Sequence, residues 1–252
     1  MSYDVIIVGA GNAALCSAIA AAEVGARVLV MEAAPESERG GNSAYTAGAM
    51  RVVYDGINDL KKIIPDLSES EIKSTDFGNY SYDDYFDDMA RVTEFRADPE
   101  LVDILIRSSL DTLSWMQRHG IRFQPSYGRQ AFKVNDRFKF WGGLAVEAWG
   151  GGPGLVESLY RAAKTLGVEI QYNTRARELI TKSGSISGIR ATIKNGDLVN
   201  FETRAVILAS GGFESNAAMR AQYLGPGWDL AKVRGTRHNM GDGINMALAI
   251  GA

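Results

Sequence analysis

The chain has 252 residues, 46% of them hydrophobic and 23% charged, which suffices for a core plus a second lobe and excludes a disordered polar chain. Its 27 basic and 30 acidic side chains are interspersed and leave a net charge of -3, which argues against a nucleic-acid partner. The single cysteine, Cys16, excludes an intrachain disulfide and a thiolate metal cluster, and it points to a reducing, cytoplasmic setting in which Cys16 simply packs a helix.

The amino terminus, MSYDVIIVGAG, lacks a basic region followed by a cleavable apolar segment and is expected to be the mature start of a domain. No apolar run reaches the roughly 20 residues of a membrane-spanning helix. DVIIV at 4–8 predicts a strand, residues 13–24 an alanine-rich helix, and RVLVM at 27–31 a second strand. This order predicts an α/β, Rossmann-like, doubly wound fold, with a right-handed crossover placing the second strand beside the first. Residues 1–53 form its first part.

Residues 54–149 change character and predict an inserted helical cap or substrate region. Asp98-Pro99 caps a helix there whose apolar positions include Leu101, Ile104, Leu105, Leu110, Leu113 and Met116, and Gly120 stops it. Residues 150–252 return to the first fold. A helix is expected over 155–166, a strand at 168–172, and a small β-hairpin or meander where SISGIRATI and LVNFET flank the Asn195-Gly196 turn. AVILAS at 205–210 predicts a further buried strand running into Gly211 and Gly212. The last helix pattern, INMALAIGA after Gly241-Asp242-Gly243, reads as internal, so the chain is expected to be truncated at its carboxy terminus.

Gly9-Ala10-Gly11-Asn12-Ala13-Ala14 is a variant of the dinucleotide fingerprint in the required place between strand and helix. Gly9 makes the tight turn, Gly11 admits a pyrophosphate to the helix terminus, and Ala14 is small enough for close packing. Glu32, 21 residues beyond Gly11, suits a ribose diol and disfavours a 2'-phosphate. The segment ERGGNSAYTAGAM at 38–50 extends this cradle beyond what NAD needs, with glycines for close backbone approach and Asn42, Ser43, Thr46 and Gly48 to meet a flavin and its ribityl chain. FAD is therefore the expected cofactor. Asp242 is expected to accept a hydroxyl of the cofactor chain, or to cap the helix that follows it.

Over essentially its whole length the sequence resembles flavoproteins of the fumarate reductase and succinate dehydrogenase family. YDVIIVGAGNAALCSAIAA, EAAPESERGGNSAYTAGAMR, GGGPGLVESLYRAAKTLGVEI, VILASGGFESN and GDGINMALAIGA carry the likeness, which is strongest toward the tricarballylate dehydrogenase branch. It implies that Gly9, Gly11, Ala14, Glu32, Asn42, Ser43, Thr46 and Gly48 surround FAD, with Ala176 offering a backbone contact near adenine. It further implies that Ala209, Gly211 and Gly212 pass under the nucleotide, and that Thr236 and Asp242 return near the pyrophosphate or ribityl region. Some relatives attach FAD to a histidine in the segment matching 43–46; this chain has Ala44 and Tyr45 there and no histidine before His119, so noncovalent FAD is expected.

The implied reaction is oxidation of a small polycarboxylate, tricarballylate, to cis-aconitate, with hydride passing to flavin and electrons leaving to a membrane-associated partner. Fumarate-like reduction, 3-ketosteroid dehydrogenation and a catalytically inert FAD-binding module are the alternatives. Candidate contacts for substrate carboxylates are Arg51, Arg237 and His238, with Arg129, Arg137 and His119 more suited to surface or helix-end roles. The histidine and arginine residues of the chemical step are implied to lie downstream of Gly241-Asp242-Gly243, so no catalytic residue is assigned. Two histidines separated by more than a hundred positions, and the disordered ligand spacing of YSYDDYFDDM, support no metal site.

Overall fold

The computed structural model describes residues 2–140 and 146–252. The elements begin with β1 (Tyr3–Val8), α1 (Asn12–Glu23), β2 (Val28–Met31), β3 (Ala49–Met50), α2 (Ile57–Ile63), α3 (Glu69–Ser74) and β4 (Thr75–Asp76). They continue through α4 (Tyr82–Val92), α5 (Pro99–Arg118), β5 (Phe123–Pro125), α6 (Tyr127–Gln130), β6 (Ala131–Val134), β7 (Arg137–Phe140) and β8 (Val146–Ala148). After them come α7 (Gly151–Thr165), β9 (Glu169–Gln171), β10 (Arg175–Lys182), β11 (Ser185–Thr192), β12 (Leu198–Leu208), α8 (Ala217–Leu224) and α9 (Asp242–Ala249). Two compact units result: Met1–Thr46 with Val156–Ala252, and Ala47–Leu155.

The first unit is built on a six-stranded sheet of order β10-β11-β12-β1-β2-β9. Its β12-β1-β2-β9 half is parallel, and the β10-β11-β12 half is antiparallel. Parallel strands covered on both faces read as unbroken apolar runs, and β1 and β2 do so: Ile6, Ile7, Leu29 and Val30 are fully buried. Helix α1 buries Ala14, Leu15, Ala18 and Ile19, its small alanines permitting close approach to the sheet. Ile6, Val8, Leu29 and Met31 share a core with Ile189 and Ala191 of β11 and Met246 of α9.

Three predicted boundaries move. LVNFET and AVIL form one strand, β12, whose residues 198–202 pair antiparallel with β11 before residues 203–208 pair parallel with β1. A single long strand thus couples the hairpin to the nucleotide-binding half of the sheet. Helix α7 starts at Gly151, so Gly152-Pro153-Gly154 belongs to its first turn, where a proline's missing N–H costs nothing. Helix α9 takes in Asp242 itself.

The second unit carries two three-stranded sheets, β3-β8-β5 and β4-β7-β6, with helices α2 to α6. The Asp98 side chain caps α5, accepting from the N–H groups of Glu100 at 2.9 Å and Leu101 at 3.3 Å, and Pro99 opens the helix. Its apolar positions divide between two faces. Val102, Ile106, Ser109, Leu113 and Met116 face inward, whereas Leu101, Ile104 and Leu105 lie exposed at 66%, 61% and 47%. Ser109 lies on the inward face, where its hydroxyl donates to the Ile106 carbonyl at 2.7 Å and accepts from the Val53 N–H at 3.1 Å, a use the apolar pattern did not reveal. Among the described residues no helix is long and apolar enough to cross a membrane.

Ile6 is fully buried in the first unit's core, and its truncation leaves a void that the sheet backbone cannot close. Ile6→Ala is expected to cost about 2–5 kcal/mol in urea unfolding, whereas Leu230→Ala, at a side chain 82% exposed, stays within about 0.5 kcal/mol of the parent.

Candidate functional site

The carboxyl ends of β1, β2 and β12 open together into a cavity of about 390 Å³ whose walls include Val8, Met31 and Leu208. Open α/β sheets bind ligands at such strand ends. Gly9 makes the turn out of β1 at φ +100, and its N–H donates to the Met31 carbonyl at 2.8 Å. A Cβ there would stand 2.5 Å from the Ala209 carbonyl oxygen and 2.8 Å from the Ser210 Cα, so only glycine allows this approach. Across the crevice Gly211 is at φ +74, and a Cβ on it would meet the Asn239 amide at 2.6 Å.

The amino-terminal end of α1, Gly11 to Ala13, forms another part of the wall. Gly11 caps the helix without a side-chain bond, and the first turn holds no acid to balance the helix dipole. The Ser43 hydroxyl accepts from the Asn12 N–H at 3.0 Å. What is left at that terminus suits an anion. One turn along, the Cys16 thiol donates to the Asn12 side chain at 3.5 Å, and burial pushes its pKa up to about 11, which makes it a packing group.

Three carboxylates face or border the crevice, each held differently. Glu32 is 7% exposed and accepts from the Ala34 N–H at 2.8 Å. Its burial raises its pKa above the usual carboxylate value, with backbone N–H groups and the nearby His238 opposing that rise. Asp242 is gripped by both oxygens, from Arg175 Nε and an Arg175 terminal nitrogen, each at 2.8 Å. Glu38 pairs with Arg237 at 2.7 Å and with the His238 ring at 3.1 Å.

Of the residues singled out from sequence, Gly9, Gly11, Glu32, Asn42, Ser43, Ala176, Ala209, Gly211, Asp242 and His238 all line this one cavity. Others sit behind it or elsewhere. Ala14 is fully buried in the α1 packing, and the Thr46 hydroxyl donates to the Ser43 carbonyl at 3.0 Å. Gly212 accepts from the Gly241 N–H at 3.0 Å. Thr236 is buried, and its N–H donates to the Asn42 side-chain oxygen at 2.9 Å, so Asn42 fastens the 236–239 segment to the crevice wall. Gly48 lies in the second unit, where its carbonyl accepts from the Ala148 N–H at 2.8 Å. Arg51 also lies there, its guanidinium bonded to the Tyr80 hydroxyl at 2.5 Å and paired with Asp88. Asp242 occupies the first turn of α9 behind Gly241, which caps without a side-chain bond, so its carboxylate serves Arg175 and the crevice instead of the cap.

Asn12, Thr174, Arg175, Ser210 and Asn239 also line the cavity and were not singled out. Their neighbours in GAGNAA, NTRAREL and ASGG, and His238 beside Asn239, were the available signal. What hid Arg175 was its partner, 67 positions away.

The donor set fits an elongated diphosphate with hydroxylated chains: a helix terminus for the phosphates, carboxylates for the hydroxyls, and bare backbone at Gly9 and Gly211. Residues 4–252 match the family described as FAD binding domain. A urocanate reductase of Eggerthella lenta is 30% identical over 235 residues, covering 87% of this chain and 33% of its own. The open conformation of a flavocytochrome c3 fumarate reductase superposes with a TM-score of 0.78 at 26% identity, over 100% of this chain and 41% of its own. A 3-ketosteroid dehydrogenase of Rhodococcus jostii RHA1, solved with 4-androstene-3,17-dione, gives 0.73 at 25% identity, over 100% and 54%. This chain therefore spans between a third and about half of the length of these proteins.

A carboxyl whose pKa is raised by folding stabilises the folded chain most below its ordinary value of 4.5, and loses that contribution as pH rises through the raised one. The ligand-free parent is thus expected to lose stability relative to Glu32→Gln between about pH 4.5 and neutrality. Paired urea titrations across that range test this; parallel pH profiles would show that burial does not perturb Glu32.

Proposed function

This chain belongs to the FAD binding domain family, its cofactor is FAD held without a covalent bond, and we propose that it is the cofactor-holding part of an oxidoreductase acting on carbon–carbon bonds. The observation that carries this reading is the convergence of the α1 terminus, Glu32 and the Arg175-Asp242 pair in one crevice at the ends of three parallel strands. When bound, FAD supplies a hydride acceptor and donor at its N5.

The chain's own residues bind, orient and exclude. The N–H groups of α1 and its dipole take the pyrophosphate charge, while Glu32 accepts from ribose hydroxyls. Asp242 would accept from a hydroxyl of the ribityl chain, and backbone at Ala176, Ala209 and Gly211 would meet the nucleotide, with Gly212 supporting the wall through its bond to Gly241. Asn42, Ser43, Thr46 and Thr236 hold the loops that shape the cradle. A noncovalent hold agrees with Ala44 and Tyr45 standing where a histidyl attachment would need histidine.

The substrate we propose is a small unsaturated carboxylate. Urocanate and fumarate, named in two of the relatives, both carry a carbon–carbon double bond conjugated to a carboxylate, which makes the β-carbon a hydride acceptor. The steroid of the third relative carries the same bond conjugated to a ketone. Oxidation of tricarballylate to cis-aconitate is this bond change in reverse on a molecule with three carboxylates. It is the finer reading, carried by sequence resemblance, while the two reductases among these relatives favour the reductive one. Arg51, Arg237 and His238 are the candidate carboxylate partners, and a guanidinium's five donors allow an arginine already on an acid to take a second anion. A membrane-associated redox protein would exchange electrons with the flavin.

The test is steady-state turnover of the full-length protein reconstituted with FAD. Reduced viologen is supplied with fumarate, urocanate or cis-aconitate, and an artificial acceptor with tricarballylate or a 3-ketosteroid. Turnover of an unsaturated acid at more than ten times the steroid rate is the expected result, and tricarballylate oxidation would select the finer reading. Turnover of the steroid alone overturns the carboxylate assignment.

A further inference from the structure

Segment 173–176, whose residues 174–176 line the crevice with Glu32 and Asp242, is tied to both of these acids' elements. On one side it is tied to the end of β2 through backbone: the Thr174 N–H donates to the Glu32 carbonyl at 2.8 Å, and the Asn173 N–H donates to the Ala34 carbonyl at 3.0 Å. Its other tie is a side chain. Arg175, which opens β10, reaches the first turn of α9 and takes both oxygens of Asp242.

A fork-to-fork arginine–carboxylate pair fixes the plane as well as the place of the acid, which a lysine's single ammonium does not. The two side chains keep 34% and 23% of their surface exposed, so simple ion pairing between them adds little to stability. A guanidinium also gains nothing from the amino-terminal end of a helix, where the dipole favours anions. The geometry therefore needs a reason other than the strength of the pair. A carboxylate has about four lone-pair directions, and the guanidinium takes two, leaving two for hydroxyl donors.

We propose that Arg175 is a positioning residue for the cofactor: it holds the Asp242 carboxylate at a set distance and orientation from Glu32, so that both acids meet the hydroxylated chains of one bound FAD. The inference rests on reading the crevice as the FAD site. Arg175 acts through Asp242, and the strap it completes couples the adenosine side of the crevice to α9.

The experiment measures FAD dissociation constants of the apoprotein by flavin fluorescence quenching, together with apoprotein melting temperatures, for the parent, R175Q, D242N and the double variant. Losing a charge-assisted contact weakens FAD binding by roughly 10- to 100-fold. Each single variant should fall in that range with an apoprotein melting temperature close to the parent's. The double variant should bind no more weakly than the weaker single, because the two residues act as one unit. R175K, which keeps the charge and loses the fork, should lie between the parent and R175Q and stands in for R175Q if that variant does not fold. Parent-like FAD affinity in R175Q and R175K, with or without a lowered melting temperature, makes the pair a structural tie and overturns the proposal. So do single effects that multiply in the double variant. A parent apoprotein that binds no FAD overturns the cofactor reading itself, and this inference with it.

Discussion

The crevice depends on one close approach, the backbone of Gly9 against Ala209 and Ser210 where β1 and β12 leave the sheet. A side chain at position 9 would collide with the Ala209 carbonyl oxygen and would also meet a backbone conformation, φ +100, that L residues avoid. Everything on the crevice walls follows from that contact. The chain turns sharply enough after β1 for α1 to point its amino-terminal end into the cavity, and β12 ends close enough to bring Ser210 and Gly211 opposite it. β12 can do so because it is one strand of eleven residues, held antiparallel by β11 over its first half and parallel by β1 over its second.

On that frame the polar groups divide the work by environment. Glu32 is desolvated and satisfied by a backbone donor, so its ionised form has most to gain from hydroxyl donors of a ligand. Asp242 has its charge answered by Arg175, which keeps the acid usable without exposing a bare carboxylate to the cavity. Glu38 collects Arg237 and His238 at the rim, so the two candidate substrate partners of the first unit share a single carboxylate. Asn42 and Ser43 spend their bonds on protein backbone, at Thr236 and Asn12. Both also line the crevice, so each holds a loop and keeps polar atoms on the wall.

Much of this was legible before any coordinates. Strand, turn, helix, strand and acid are separated by short, fixed intervals from Tyr3 to Glu32, and backbone geometry leaves few ways to lay them out. Helix α5 shows where such reasoning stops. Its start was plain from Asp98 and Pro99, because capping is local chemistry, but its apolar positions did not tell which face is buried, since Leu101, Ile104 and Leu105 form as good an apolar stripe as Val102, Ile106 and Leu113. The two stripes differ only in what they pack against.

The sequence by itself determined the βαβ start, the fingerprint turn, the acid after the second strand and the lack of a histidine for covalent flavin attachment. Those properties reside in residues within one or two elements of each other, where φ and ψ preferences and hydrogen-bonding groups act directly. Only the tertiary structure decided that residues 198–208 are one strand, that Ser109 lies on the inward face of α5, and that Arg175 closes on Asp242. Each of these depends on a partner brought close by the folded sheet or by helix packing, and side-chain type alone carries no information about which distant group will arrive within 3 Å.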